Sequence, residues 1–561
     1  MSKNNIEKKI IDSEDEIVNN MIAGGTSVII AGMIGGFIGW ILCIFASRPD
    51  IGFGATGYAI ISTANSIIII LSAISGGFHQ SISKYIAEGL VESKKKALDF
   101  SRAGSISTNI FGLIFFTFFI ILSIISFSNS SDIYGFIYMF IGIALLLSFI
   151  RDNLIGNLAG IQKFNKIGMV NFLGALGGIF VGVLTLIFVP TPYTPIVFAS
   201  QVMIFPLVQI IFSLIYSKKN LPYSVKSIYK KPSSWNISKK VLIYGLYSTI
   251  PQTILLGSIF WISTFFLGLF FSHSSTIVGI SGIIIGYAGV MATISFFGWP
   301  QIPAVSAAKA SNNQQLIDKL ISQCFRTGFH VSIMFLVFYI GVSHAMLELF
   351  HTAEYLPGYL PFIILSISTT LIGLVFLIAS MLIGLGKAKT AFLYISIIII
   401  SSLIITPILI NFFLSIGNTN ATLLAGPIGL LIPTLIMLPI LFRYLPRFTN
   451  KPSKYYLTIL IKGFVSVATA NIISFFIENY IYPYNSFWNW VPTGFFLGIA
   501  VNLGIFMLLM CFLSALDTKD WELFNNVLGP LKIFTIIPQW ISEHSPFYKP
   551  LEDNLKNNDQ S

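Results

Sequence analysis

Fourteen stretches of the chain are apolar over about the 20 residues that an α-helix needs to cross a bilayer. They run over 21–45, 57–78, 103–127, 133–150, 167–189, 194–216, 241–268, 277–297, 327–342, 359–383, 390–413, 423–442, 456–477 and 491–516. Composition agrees with them: 55% of residues are hydrophobic, 10% are charged, and mean hydropathy is +0.82, where a soluble chain has about a quarter charged residues. Twenty-two acids and 33 bases cannot solvate a large soluble enzyme domain or keep a chain disordered. Cys43, Cys324 and Cys511 stand far apart without C-x-x-C spacing, so neither a disulfide framework nor a zinc site is indicated. The expected fold class is an all-α polytopic membrane protein of about 14 transmembrane helices.

Lysine and arginine set the orientation, because basic segments stay on the cytoplasmic side during insertion. With both termini cytoplasmic, 32 of the 33 bases fall on non-exported segments or, for Lys462, just inside the helix they begin; only Arg48 falls outside. One miscounted helix would invert every later loop. The first span is too long for a signal-peptide core and follows Asp12, Glu14, Asp15 and Glu16, so it reads as a retained helix. The expected location is the plasma membrane.

A weak repeat runs at an offset of 222 to 224 residues, with both copies in one membrane orientation. Gly57 matches Gly279, Gly76 matches Gly298, Gly160-Ile-Gln-Lys163 matches Gly384-Leu-Gly-Lys387, and Lys218 and Lys219 match Arg443. The expected plan is a cytoplasmic segment (1–20), a six-helix lobe (21–216), a basic linker (217–240), a second six-helix lobe (241–442), a cytoplasmic loop with helices 13 and 14 (443–516), and a cytoplasmic tail (517–561). Such a duplication places a cavity between the halves.

The stretch GATGYAIISTANSIIIILSAISGGFHQSISKYIAEG from Gly54, the GIQKFNK turn at Gly160, SKKVLIYGLYSTIPQTI at the start of span 7, and LELFHTAEY followed by a span and GLGKAK resemble the polysaccharide-transport branch of the multidrug/oligosaccharidyl-lipid/polysaccharide (MOP) exporter superfamily. That branch is related to the MATE exporters and the peptidoglycan-precursor flippases. The resemblance covers roughly 24–520 and implies a MATE/MOP-like fold, with spans 1, 2, 7 and 8 lining a cleft and spans 13 and 14 guiding a lipid tail. It implies a flippase that moves a polyprenyl-(pyro)phosphate-linked saccharide outward by alternating access. Implied partners are that lipid, anionic membrane lipids and glycan-assembly enzymes.

A charge at the bilayer centre costs at least about 2.5 kcal/mol, so cationic groups at the cytoplasmic mouth are the first candidates to meet an anionic headgroup. These are Lys84 with His79 and Gln80, Arg151, Lys163, and Gln301 at the repeat-equivalent place. Each lysine or arginine also satisfies the positive-inside bias, and Arg151 can pair with Asp152. Lys462, inside the start of span 13, either meets ligand or snorkels; Arg48 either anchors span 1 at the interface or meets released ligand. Asn65, Ser66, Asn109, Gln209 and Gln252 supply amides and hydroxyls at depth, for sugar or for helix-to-helix bonding.

The spans carry no Asp or Glu at mid-membrane depth, which disfavours an ion-coupled MATE-type antiporter, the alternative reading. A membrane glycosyltransferase or polymerase would need acids on a sizeable outer loop, and none exceeds about 16 residues. Glycines 32, 35, 36 and 39 suit close helix packing or a gate, and Pro251 is the expected hinge. His344, Glu348 and His351 have helical spacing, yet coincide with the loop between spans 9 and 10, so no metal site is expected. No GxxxxGK[ST] loop occurs; neither cofactor nor enzyme activity is expected, and membrane potential would supply about 2.3 kcal/mol per exported charge per 100 mV. The basic run 218–240 reads as a linker touching anionic lipid, too short for a nucleic-acid module, and KIFTIIPQWI in the tail as an interfacial segment.

Overall fold

The computed structural model describes residues 28, 30–32, 34–35, 38–39, 41–48, 52–129, 132–190, 194–255, 258–271, 275–291, 295–449, 451–480 and 493–513. Among the described residues the regular structure is wholly helical. Helix α1 covers the described residues between 28 and 47. There follow α2 (Gly54–Glu92), α3 (Lys94–Ser128), α4 (Asp132–Gly160), α5 (Phe164–Phe188), α6 (Thr194–Ala199), α7 (Gln201–Asn220), α8 (Val225–Ile228), α9 (Trp235–Leu255) and α10 (Ser258–Phe270). Then come α11 (Thr276–Met291), α12 (Ser295–Ala310), α13 (Gln314–Phe350), α14 (Tyr359–Gly384), α15 (Ala388–Ser415), α16 (Ala425–Phe442), α17 (Leu445–Phe448), α18 (Ser453–Tyr480) and α19 (Thr493–Phe512).

Ten of the described helices are long and apolar enough to cross a membrane, with shorter apolar helices at Ile259–Phe270, Thr276–Ala288 and Val501–Phe512. The chain is a multi-pass membrane protein. Expected spans 1, 7 and 8 fall on helices interrupted by residues outside the described set, as does the start of span 14. The tail with its interfacial segment and the acid-rich start also lie outside it.

Hydropathy marks only the part of a helix that lipid touches, and several helices run further. Helix α2 has 39 residues and α13 has 37, about 58 and 55 Å at 1.5 Å per residue against a hydrocarbon core of about 30 Å. Caps set the true ends: Ser93 Oγ accepts from Lys96 N at the start of α3, and Asn313 Oδ1 from Leu316 N at 3.0 Å at the start of α13. The ends that carry most of the lysines project together, and are called the basic end below.

Two turns that the repeat aligns share one backbone geometry, which the ends of α12 and α15 also adopt. In the α4–α5 turn Lys163 N donates to Leu158 O (3.0 Å), and in the α14–α15 turn Lys387 N donates to Leu382 O (2.7 Å). The residue between is left-handed in both, Gln162 at φ 58° and Gly386 at φ 80°. Both turns satisfy the last carbonyls of a helix in the same way.

Helices α2 to α7 pack on one another, as do α9 to α16, and α18 and α19 lie against α13. Helix α2 is the shared member: it packs on α3 and α4 on one side and on α9, α10, α11 and α12 on the other. Outward faces stay apolar, for example Ile121, Ile124, Phe188, Ile404 and Ile436, each more than half exposed, as lipid contact requires.

Candidate functional site at the junction of the helix groups

Inside the first group lies a buried polar chain. Ser75 Oγ on α2 donates to Asp152 Oδ2 on α4 at 2.5 Å, and Arg151 Nε donates to Asp152 Oδ1 at 2.7 Å. Arg151 also donates to Gln209 Oε1 on α7 (3.1 Å), and Gln209 Nε2 donates to Asn171 Oδ1 on α5 (2.9 Å). Asp152 and Gln209 are buried, and Arg151 is nearly so. The simpler sequence reading of Arg151, a partner for Asp152, is the arrangement observed.

Asp152 lies beyond the expected end of span 4, and the expectation that no Asp or Glu sits at mid-membrane depth does not extend to it. Expected span 4 stops at 150, but α4 continues to Gly160, so the carboxylate sits inside a buried helical stretch. The hydropathy pattern stopped early because Arg151 and Asp152 adjoin, although their mutual bonding lets the helix stay buried through them.

His79 and Gln80, on the next turn of α2, are buried. The His79 ring stacks on Trp299 of α12, centroids 4.9 Å apart, which ties α2 to the second helix group. Its Nδ1 has no hydrogen-bond partner among the described residues. Gln301 is buried and accepts from Ser380 Oγ of α14 at 2.7 Å.

Further along α2, Lys84 is buried, paired with Glu88, and lies 4.3 Å from the Tyr85 ring and 5.0 Å from that of Tyr244. Lys240 Nζ also lies 4.7 Å from the centre of the Tyr85 ring. Tyr244 donates to Ile383 O, joining α9 to α14. Here a cavity of about 450 Å³ opens between the end of α2, the start of α9 and the α14–α15 turn, with Lys239, Lys240 and Lys389 on its wall. Sequence reasoning placed Lys239 and Lys240 in the basic linker touching anionic lipid and did not single out Lys389; their meeting needs the pairing of α9 with α15.

At the opposite end a second junction crosses between the groups. Ser47 Oγ of α1 lies 2.6 Å from His351 Nδ1, Tyr287 OH of α11 bonds His351 Nε2, and Tyr355 OH donates to Ser47 O at 3.2 Å. Burial, helped by the nearby Arg48 guanidinium, holds the His351 imidazole down to about 3. His344 and Glu348 are instead exposed, 3.5 Å apart, so the spaced histidines face different surroundings. His351 is the C-cap just past α13, and its i, i+7 spacing from the exposed His344 carried no sign of its burial.

The remaining candidates scatter. Lys163 is exposed in the α4–α5 turn, Lys462 is half-buried on α18, and Asn65 and Asn109 are half-buried. Pro251 is buried within α9, while the Gln252 side chain lies outside the described residues. The mouth cluster expected from sequence therefore divides: His79, Gln80 and Arg151 go to the interior, Lys84 to the basic end, Lys163 to the surface.

The same arrangement of helices occurs in solved membrane transporters. An outward-facing multidrug resistance MATE family transporter of the MOP superfamily superimposes with a TM-score of 0.59 at 13% identity, over 77% of this chain and 96% of that one. The chain has the MATE fold. A MATE protein in complex with MaL6 gives 0.60 at 13% identity, over 78% and 98%. A MOP superfamily transporter from Pyrococcus furiosus, whose binding pocket has a reversed polarity suggesting a different function, gives 0.58 at 12% identity, over 78% and 97%. No family model matches the chain, and no curated protein does. Within the MATE fold the α2 contacts described above are the seam between the two helix groups.

Proposed function

We propose that the protein is a plasma-membrane flippase that carries a polyprenyl-(pyro)phosphate-linked saccharide from the cytoplasmic to the outer leaflet by alternating access. The basic end is cytoplasmic on the positive-inside rule, with both termini on that side. The observation that carries the reading is the unequal junction between the helix groups. The Ser47–His351–Tyr287 cluster closes one end by hydrogen bonds, while the other holds a lysine-walled cavity. The cluster is buried and its tyrosines also pack in the core, so the opening that alternating access requires would exchange these hydrogen bonds while each helix group stays folded. Lysines and the partly neutralised Lys84 suit an anionic headgroup, and the membrane potential would favour its outward passage. The reading is of a transporter, not an enzyme.

The test is reconstitution in liposomes, following the protection of a labelled lipid-linked sugar from an outside reagent. Faster loss of protection than in protein-free vesicles is expected; equal rates overturn the proposal.

A second reading is an ion-coupled small-molecule antiporter, and Asp152 favours it, since a buried carboxylate beside Ser75 and His79 is the type of group that binds a coupling ion. It predicts gradient-driven efflux of cationic compounds, abolished in Asp152→Asn; a flippase without coupling would keep its lipid activity in that variant.

A further inference from the structure

The cavity at the basic end differs in chemistry from the junction it adjoins. Among the described residues that line it are three lysines, Lys239, Lys240 and Lys389, together with Tyr85, Tyr244 and Asn236, and no Asp or Glu. The nearby carboxylate, Glu88, is engaged by Lys84. The three lysines are exposed at the mouth of one cavity, so its opening is electropositive and attracts anions. The volume of about 450 Å³ lies within the roughly 300–1,000 Å³ of small-ligand sites, enough for a phosphoryl group with the first part of what it is esterified to.

Two features point to an anion carried by a lipid. The walls are the opening turns of α9 and α15, and both helices show apolar side chains outward in the turns that follow: Ile243 and Leu246 on α9, Leu393 and Ile397 on α15, all between 41 and 56% exposed. Trp235, at the start of α9, is 70% exposed, as suits an interfacial anchor. A headgroup held by the lysines would thus have hydrocarbon-facing surface beneath it for its chains. Tyr85 and Tyr244 add hydroxyl-bearing rings, and Lys240 is already steered over the Tyr85 face.

We propose that this cavity is a binding site for the phosphoryl headgroup of a membrane lipid in the leaflet at the basic end. Because Tyr85 belongs to α2 and the lysines to α9 and α15, the headgroup touches both helix groups and holds the basic end in the arrangement seen. The inference borrows from the proposed function only the side of the membrane. It does not require transport.

The test is equilibrium binding to the purified full-length chain in neutral detergent micelles, with three probes: a fluorescent phosphatidylglycerol, the same dye on phosphatidylcholine, and farnesyl diphosphate as competitor. Inorganic phosphate and pyrophosphate form a soluble-anion arm. Saturable phosphatidylglycerol binding is expected. Lys239→Gln/Lys240→Gln/Lys389→Gln should weaken it by about tenfold or more, while Lys218→Gln/Lys219→Gln/Lys226→Gln, with the same charge loss in the linker, changes it less than about twofold. Lys389→Gln alone should give a measurable part of the effect, and because all three lysines are exposed it guards against misfolding of the triple variant. Stronger competition by farnesyl diphosphate than by unlabelled phosphatidylglycerol would assign the site to an isoprenoid phosphate, weaker competition to a phospholipid. Equal losses in the two triple variants would overturn the proposal, as would binding of pyrophosphate as tight as that of the lipids. A failed liposome transport assay alongside intact lipid binding would sink the flippase and leave this site standing.

Discussion

His351 is a titratable group held neutral at a junction between helix groups, and its chemistry sets a pH dependence. Its ordinary value is about 6.5 and in the closed arrangement it is lowered to about 3. Between those values an opened junction takes up a proton that the closed one refuses. Closure is therefore fully present above about 6.5 and weakens by up to about 1.4 kcal/mol per pH unit as pH falls toward 3. Spin labels at Phe45 and Leu360, both exposed, should show a long-distance population growing up to about tenfold per unit between pH 6 and 5. His351→Phe should flatten that response, and an unchanged profile in this variant would remove His351 from the account. A second pair of residues tests the repeated turn. Gln162 occupies a left-handed conformation that its Cβ disfavours, so Gln162→Gly should stabilise by about 0.5–1 kcal/mol, while Gly386→Ala should cost about 1 kcal/mol. Denaturation midpoints in micelles check both signs.

Helices meet here through close approach and through buried ion pairs, and each can be broken separately. A Cβ at Gly77 of α2 would sit 2.5 Å from Thr249 Oγ1 and 2.6 Å from Gly245 O on α9. Gly77→Ala should push α2 from α9 for about 1–3 kcal/mol and shift the protein toward the state open at the basic end; hydrogen exchange of the first turns of α9 should quicken while that around Ser47 does not. Within α4, Arg151 and Asp152 compensate one another in a nearly dry setting. Replacing either by Ala should cost about 3 kcal/mol, and replacing both should cost clearly less than the sum. Additive losses in that double-mutant cycle would mean the two side chains act independently. Pro251 stays a hinge proposal, and transport unchanged in Pro251→Ala would remove its support.

For the whole molecule the decisive quantity is the work done by the membrane potential. A cargo of two net negative charges leaving a cell at 100 mV gains about 4.6 kcal/mol, so flipping in liposomes should accelerate when a potassium gradient makes the interior of the source side negative, without any sodium or proton gradient. Dependence on an ion gradient at zero potential would instead favour the antiporter reading and place Asp152 at its centre.

Helical class and membrane habit were legible along the chain. Apolar runs of bilayer length have no other stable form once water is absent, and local turn chemistry is carried in short motifs such as Gly160-Ile-Gln-Lys163 and Gly384-Leu-Gly-Lys387. The site was legible only in part. Lys84 and Arg151 could be singled out, but whether a charge meets another charge, a ring or a cavity depends on residues far away in the chain: Lys389 joins Lys239 through the packing of α15 on α9, and Ser47 meets His351 across 304 positions. Hydropathy reports how each residue partitions between water and lipid, which is a local property, whereas the field and the hydrogen bonds around a buried group come from which helices lie side by side.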